Sequence, residues 1–321
     1  MPFFFGSRIL TVLSYHRVGD ISQNALLTYK PNISASKSEF ARQMYHIKKK
    51  YNVIGCEHLI AWLDEKLALP ERAALVTFDD GYYDNLSNAY PILNALEIPA
   101  IIFLATDFIG SSVPFYWDYV AYCFGQTSRK DANLPMIGKT SWPSSDDREK
   151  VMLQWIREVK KVPDSLKQNY ILRLPGLLDM KVPEDAFSKL YLNWDQVRQL
   201  SQNGLEFGSH TASHPILTRI DSISVRTELW KSKIKIEKEL GKPVNAFAYP
   251  NGQKNDFSKE TIKLIKDVGM KVAFSLLPGP TRYNTVKKNP FSIRRINISN
   301  KDTFPRFLAK LGGVARFVNR D

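Results

Sequence analysis

The residues best suited to chemistry lie in "AALVTFDDGYYDN" (73–85), where an apolar run ends in Asp79, Asp80 and Gly81. Two adjacent carboxylates repel, and burial penalises each of them. A strand-end turn with an Asp capping the next helix is the plain alternative. A second cluster weighs against it. "EFGSHTASHP" sets His210 and His214 four residues apart, again just past an apolar run, in a chain with five histidines. If 210–214 takes a helical turn, both imidazoles project to one side and offer two nitrogens to one metal ion. Two histidines and one carboxylate leave a coordination position for water, and a neighbouring carboxylate can take a proton from it. The two acids then have different tasks. One binds the cation, which relieves the repulsion, and the other is a base.

Two weaker signals join these. "AFAYPNG" (246–252) ends another apolar run, and Pro250 and Gly252 fix a turn that can aim backbone N–H groups at an oxyanion. A plain turn explains it as well. "LSYHRV" (13–18) places His16 at the end of the first run, where an imidazole can protonate a leaving amine.

These residues need a frame that brings run ends together. Strands are expected at 9–15, 73–78, 98–105, 205–209, 244–249, 271–276 and 291–298. Helices are expected around 38–50, 56–66, 84–96, 222–240 and 257–268. This alternation argues for βα units around a parallel sheet or barrel. Ligands in such folds gather beyond the carboxyl ends of strands, where both clusters fall. The stretch 108–192 breaks the rhythm and reads as a helical insertion, with 128–147 as a loop and 148–162 as an amphipathic helix.

Bulk properties narrow the class. No apolar run approaches the roughly 18 residues that span a bilayer. Arg8 interrupts the apolar start "MPFFFGSRIL", which does not read as a secretory leader, and the expected location is the cytosol. The two cysteines, Cys56 and Cys123, fit no metal spacing and no disulfide framework. Net charge is +13, and 281–321 alone holds ten Lys/Arg against two Asp, a net +8. Such an excess suits anionic partners. No nucleic-acid module is present, so a membrane surface or acidic glycolipid is the expected partner.

The motifs "TFDDG" (77–81), "HTASH" (210–214) and "FAYPNG" (247–252) resemble those of the polysaccharide deacetylases, carbohydrate esterase family 4 or NodB-homology domains, over roughly 8–298. The resemblance implies a distorted (β/α) barrel with fewer than eight complete units. It implies one divalent metal, commonly zinc, held by Asp80, His210 and His214, with Asp79 as general base. The reaction implied is hydrolysis of the N-acetyl group of an amino sugar to acetate and a free amine. The backbone N–H of Asn251 would stabilise the oxyanion. Two departures matter. Many members carry an arginine where this chain has Ala248, and many take the acid histidine from a C-terminal motif, whereas no histidine follows His214 here. "SYHRV" resembles a branch of the family with a Tyr-His first strand, which makes His16 the candidate acid. For the arginine, "IRRI" offers Arg294 and Arg295, which point to opposite faces of a strand, and Arg295 is the expected partner of the base. Trp117 and Asp118, in "FYWDYV", resemble a family stretch too, either as a sugar-stacking ring or as packing under the insertion.

The expected organisation is a barrel over 1–300 with an insertion at about 108–192, followed by a basic amphipathic tail at 301–321. In that tail Phe304, Phe307, Leu308, Leu311, Val314, Phe317 and Val318 fall near helical spacing. It would lie on an anionic membrane or pack on the barrel. The substrate expected is an N-acetylated glycan or lipid-linked sugar handled at the inner membrane face. The alternatives are a deformylase or non-sugar amide hydrolase using the same site, and a non-catalytic glycan-binding or scaffold domain. No residue pattern sets an oligomeric state.

Overall fold

The computed structural model describes residues 8–20 and 29–313. They form two compact units, one from 8–19, 32–110 and 191–313, the other from 20, 29–31 and 111–190.

The first unit is a closed barrel of seven parallel strands. They are β1 (Ile9–Tyr15), β2 (Ala73–Asp80), β3 (Ala100–Leu104), β4 (Glu206–Ser209), β5 (Ala246–Ala248), β6 (Val272–Pro278) and β7 (Ile293–Asn297). Around the barrel the order is β1-β7-β6-β5-β4-β3-β2, and β2 returns to β1 with Thr11 opposite Ala74 and Tyr15 opposite Phe78. This is the distorted (β/α) barrel with fewer than eight units that the motifs implied. Because helices cover the outside, both faces of each strand are buried, so the strands read as apolar runs and not as alternation.

The two-residue period of a strand sorts side chains between two cores. Leu10, Val12, Leu75, Phe103, Ala246, Val272, Phe274 and Ile293 belong to the inward set. Leu13, Tyr15, Val76, Phe78, Phe207, Phe247 and Ile296 face the helices. Each fully buried aliphatic or aromatic side chain contributes about 1.5–3 kcal/mol. The enclosing helices include α1 (Lys37–Lys50), α2 (Cys56–Leu63), α3 (Tyr90–Ala95), α4 (Trp194–Gln202), α5 (Ser222–Leu240), α6 (Lys259–Asp267) and α7 (Phe304–Leu311). Cys56, Leu59, Ile60 and Trp62 of α2 pack with the inward set and stop the N-terminal end of the barrel. Their neighbours are the strand beginnings, which leaves the carboxyl ends for the site. Gly208 is required by crowding inside, since a Cβ there would lie 2.5 Å from the Phe103 ring and 2.9 Å from the Ala246 carbonyl.

α5 starts at an Asp221 cap that accepts from Ser224 N at 2.9 Å and ends at Gly241 in the left-handed region (φ 62°). α7 buries Phe307 and Leu311 in the outer core, and its Arg306 and Lys310 reach Asp302. The later residues of the expected tail, including Val314, Phe317 and Val318, lie outside the described residues.

The second unit contains helices Tyr116–Gln126, Ser145–Val159 and Asp164–Leu177. The stretch expected as a loop at 128–147 instead holds a hairpin, Asp131–Leu134 paired with Gly138–Ser141. Ala132 and Leu134 alternate inward, and Trp142 is buried with its indole N–H on the Arg129 carbonyl at 2.8 Å. The two strands have four residues each, so polar turn residues dominate the local pattern and hide them. Trp117 is buried and stacks on Phe115 at 4.5 Å, and Asp118 is fully buried.

Candidate active site

β2 stays paired with β3 through Asp79 and Asp80, two residues beyond the run end expected at 78. Asp79 shares the inward parity of Leu75 and Thr77. Asp80 would point outward by parity, but it adopts φ 76°, and Gly81 follows at φ 84°. Two successive left-handed residues turn the chain at the strand tip. A non-glycine residue there is uncommon and costs on the order of 1–3 kcal/mol. Gly81 has no room for a side chain, because a Cβ would meet Ile109 Cδ1 at 2.7 Å and Leu104 Cδ2 at 2.8 Å. Both carboxylates are about 1% exposed.

Asp79 is clamped by Arg295. Nη1 donates to Asp79 Oδ1 at 2.7 Å and to Thr77 Oγ1 at 3.2 Å, and Nη2 donates to Asp79 Oδ2 at 2.8 Å. Nε donates to the Ser275 carbonyl at 3.1 Å. The guanidinium is fully buried with its partner. Parity explains why Arg295 and not Arg294 reaches the acid. Ile293 and Arg295 face inward, while Arg294 reaches only the Pro278 carbonyl, at 3.4 Å. Burial alone would raise the Asp79 carboxyl. Arg295, with help from His210 and His16, outweighs burial and holds it at about 2.

Asp80 meets both histidines of the second motif. Asp80 Oδ1 lies 3.6 Å from His210 Nε2 and 3.5 Å from His214 Nε2. One ligand atom from each of the three lies within 4.8 Å of the others. His210 Nδ1 donates to the Ala248 carbonyl at 2.7 Å, which leaves the Nε2 lone pair directed at Asp80. Burial lowers the pKa of His210 and pushes that of His214 well below its ordinary value, so both imidazoles are neutral at physiological pH. The donor set is therefore one carboxylate and two neutral nitrogens. Atoms bound at about 2.0–2.2 Å around a tetrahedral ion lie about 3.3–3.6 Å apart, which matches the two separations. The residues present fit a divalent cation.

The histidines do not come together on a helical turn, as their spacing suggested. They sit on a loop beyond β4 in which Thr211 (φ 69°) and His214 (φ 61°) are both left-handed, and the rings are 4.7 Å apart. Four-residue spacing gives the same juxtaposition through a different backbone.

His16 follows β1, with its N–H on Ser34 Oγ at 2.9 Å and its carbonyl accepting from Asn85 Nδ2 at 2.8 Å. Its pKa is lowered to about 4: burial dominates, the Asp79 carboxylate opposes it, and Arg295 and His210 add to it. Asn251 lies on the loop after β5 at φ 61°. Its side chain donates to Asp256 Oδ2 at 2.6 Å, and no hydrogen bond among the described residues engages its N–H. Thus the structure brings Asp79, Asp80, Arg295, His210 and His214 into one cluster, electrostatically coupled to His16, while Asn251 stands on a neighbouring loop at the same end of the barrel. Sequence reasoning missed Thr77, the Ser275 carbonyl and the Ala248 carbonyl. Thr77 carried a signal, being two residues before Asp79 and so on the same face. The two carbonyls carried none.

The family model described as polysaccharide deacetylase matches residues 66–273. The poly-beta-1,6-N-acetyl-D-glucosamine N-deacetylase of Staphylococcus aureus is 24% identical over 308 residues, covering 94% of this chain and 82% of the relative. Among solved structures, a Streptococcus pyogenes deacetylase in complex with acetate superposes with a TM-score of 0.61 at 17% identity, covering 95% of this chain and 99% of that one. A de-N-acetylase from Aggregatibacter actinomycetemcomitans gives 0.58 at 19% identity, covering 94% and 100%. With the barrel closed, the three motifs gathered at one end of it and the family model spanning 208 of 321 residues, the chain belongs to the polysaccharide deacetylase family.

Proposed function

We propose that this chain hydrolyses the N-acetyl group of an amino sugar within a polysaccharide, releasing acetate and leaving a free amine. The observation that carries the reading is the pairing of a buried, ionised Asp79 with the Asp80–His210–His214 donor set at one barrel end. A divalent cation there, zinc being the expected one, would supply Lewis acidity toward the amide carbonyl and acidify a water. Asp80, His210 and His214 would hold it. Asp79 takes the proton from the attacking water, and Arg295 keeps Asp79 ionised and fixes both its oxygens. The same clamp trades basicity for full ionisation, since a carboxylate with a pKa of about 2 is a weak base. His16 is neutral at physiological pH, and the proton that Asp79 took from the water passes through it to the departing amine, so the amine leaves protonated and Asp79 is again ionised. The Asn251 N–H is assigned the task of stabilising the developing oxyanion.

Ala248 raised the alternative of a dead, glycan-binding domain. Arg295 arrives from β7 to pair with Asp79, so the alanine does not leave the base unpaired. The substrate class comes from the Staphylococcus aureus relative, whose name specifies poly-beta-1,6-N-acetyl-D-glucosamine. A lipid-linked precursor is the narrower form of the proposal, and the net positive charge of the chain is what favours it. The test is acetate release from β-1,6-linked N-acetylglucosamine oligomers by protein loaded with zinc or cobalt, with elemental analysis of wild type and His214→Ala. About one metal per wild-type chain, little in the variant and acetate release by the wild type alone is the expected result. A metal-loaded wild type that releases no acetate from acetylated glycans would sink the reading.

A further inference from the structure

We propose that Glu228, on the barrel-facing side of α5, is a positioning residue that holds the His210–His214 loop in its ligating shape. The inference rests on the metal-hydrolase reading above. The loop's N–H groups can be accounted for one by one. His210 N donates to the Leu104 carbonyl at 2.9 Å, Thr211 N to Ser209 Oγ at 3.3 Å and His214 N to Thr211 Oγ1 at 3.0 Å. The two in between, Ala212 N and Ser213 N, both donate to Glu228 Oε2, at 2.9 and 2.8 Å. Glu228 Oε1 accepts from Ser213 Oγ at 2.7 Å. One carboxylate therefore takes three donors from the segment that separates the two histidines.

The grip is needed because the loop's shape is not intrinsically favoured. Thr211 and His214 are both left-handed without glycine's freedom, and such residues persist only when their surroundings over-determine them. Glu228 supplies the charged contacts, which are the stronger kind. Its helix is well anchored to do so. Val225, Leu229, Ser232 and Ile236 bury one face of α5, and Ser232 Oγ hydrogen-bonds Ser209 Oγ at the tip of β4. The helix thus fixes the strand end before the loop and, through Glu228, the loop itself. Glu228 acts through the backbone between the two ligand histidines. Nothing in the motif points to it, since it lies 14 residues beyond His214.

The test compares Glu228→Ala and Glu228→Gln with wild type in two measurements. One is Co²⁺ affinity by competition against a chromogenic chelator, and the other is the melting temperature of the metal-free protein. Loss of an outer partner of a ligating residue weakens metal binding about 10–100-fold; Glu228 acts one step further out, and a weakening near the lower end, about 10-fold, is expected for Glu228→Ala. Glu228→Gln keeps an amide oxygen for the N–H groups and should return affinity to within a few-fold of wild type. A merely structural role would lower the metal-free melting temperature and leave the affinity of the folded protein unchanged, which would overturn the proposal. If Glu228→Ala does not fold, Glu228→Asp shortens the side chain and withdraws the carboxylate from both N–H groups, and wild-type affinity in that variant overturns the proposal equally. A wild type that binds no Co²⁺ would remove the metal-hydrolase reading and this one with it. Equal affinity in wild type and variant removes this one alone.

Discussion

Asp79 closes β2 at the carboxyl end of the barrel, and Glu206 opens β4 at the amino end. Both carboxylates lie in the same unit and burial pushes both upward, yet their pKa values end displaced in opposite directions. Asp79 is held at about 2 because a guanidinium meets both its oxygens. Glu206 is raised, because burial dominates and its hydrogen-bond partners among the described residues are the N–H groups of Cys56 and Glu57 at the start of α2. A cavity opens at that amino end, lined in part by Cys56, Glu57, Ser201, Glu206 and Lys242. Space alone therefore does not mark the site. The acid at the amino end is spent on capping a helix, while those at the carboxyl end face a cation partner and two neutral imidazoles. The difference teaches that a buried acid signals chemistry when its charge is maintained by something other than the backbone that needs capping.

The comparison is broken most directly by Asp79→Asn. The substitution keeps the shape and removes the base, so kcat should fall about 10²–10⁴-fold while the metal content of the purified protein stays near that of wild type. Unchanged turnover would mean that the end identified as catalytic does no proton transfer. Arg295→Met comes next. It leaves Asp79 buried without its partner, which costs about 3–5 kcal/mol of stability, read by urea denaturation. The double variant Arg295→Met/Asp79→Asn should recover most of that loss, because neither charge then remains. Absence of recovery would show that the arginine supports packing and not the carboxylate.

Much of this end was legible in the chain. Asp79, Asp80, His210 and His214 stand in short motifs at the ends of apolar runs, and a closed parallel barrel gathers run ends by construction. An arginine on the last strand was legible through the family resemblance, and alternation left one of Arg294 and Arg295 to serve; the inward position of Ile293 in the structure selects Arg295. What stayed hidden depends on contacts far apart in sequence or on backbone atoms. The Ala248 carbonyl under His210 and Glu228 under the histidine loop have no side-chain pattern that announces them. The left-handed backbone of Thr211 and His214 also escaped, because four-residue spacing is satisfied by a helical turn and by this loop alike. The hairpin at 131–141 failed to show because four-residue strands are too short for their alternation to outweigh the surrounding polar residues.

A pH measurement sharpens the contrast. His16 has a folded pKa of about 4 against an ordinary value of about 6.5. The unfolded chain binds the proton first as pH falls, so the stability associated with neutral His16 is present above about 6.5 and lost on the way down to about 4. Converted at 1.36 kcal/mol per unit, the loss is at most about 3–4 kcal/mol. In the metal-free protein, His16→Gln should flatten the decline of stability between pH 6.5 and 4 relative to wild type. Identical slopes would place His16 in water and not against the site.

At the amino end the smallest effect is expected, and its form matters more than its size. Glu206→Ala removes the acceptor for two N–H groups at the start of α2, a loss of about 0.5–2 kcal/mol by analogy with helix caps. Glu206→Gln should cost less. Burial already disfavours the ionised carboxylate there, and a neutral amide oxygen still accepts a hydrogen bond without the desolvated charge. Both variants should leave kcat and metal affinity at wild-type values, measured on protein confirmed folded at the assay temperature. A fall in kcat with either variant would mean that the two ends of the barrel are coupled through strands β2 to β4. The division between a helix-capping acid and a catalytic pair would then have to be abandoned.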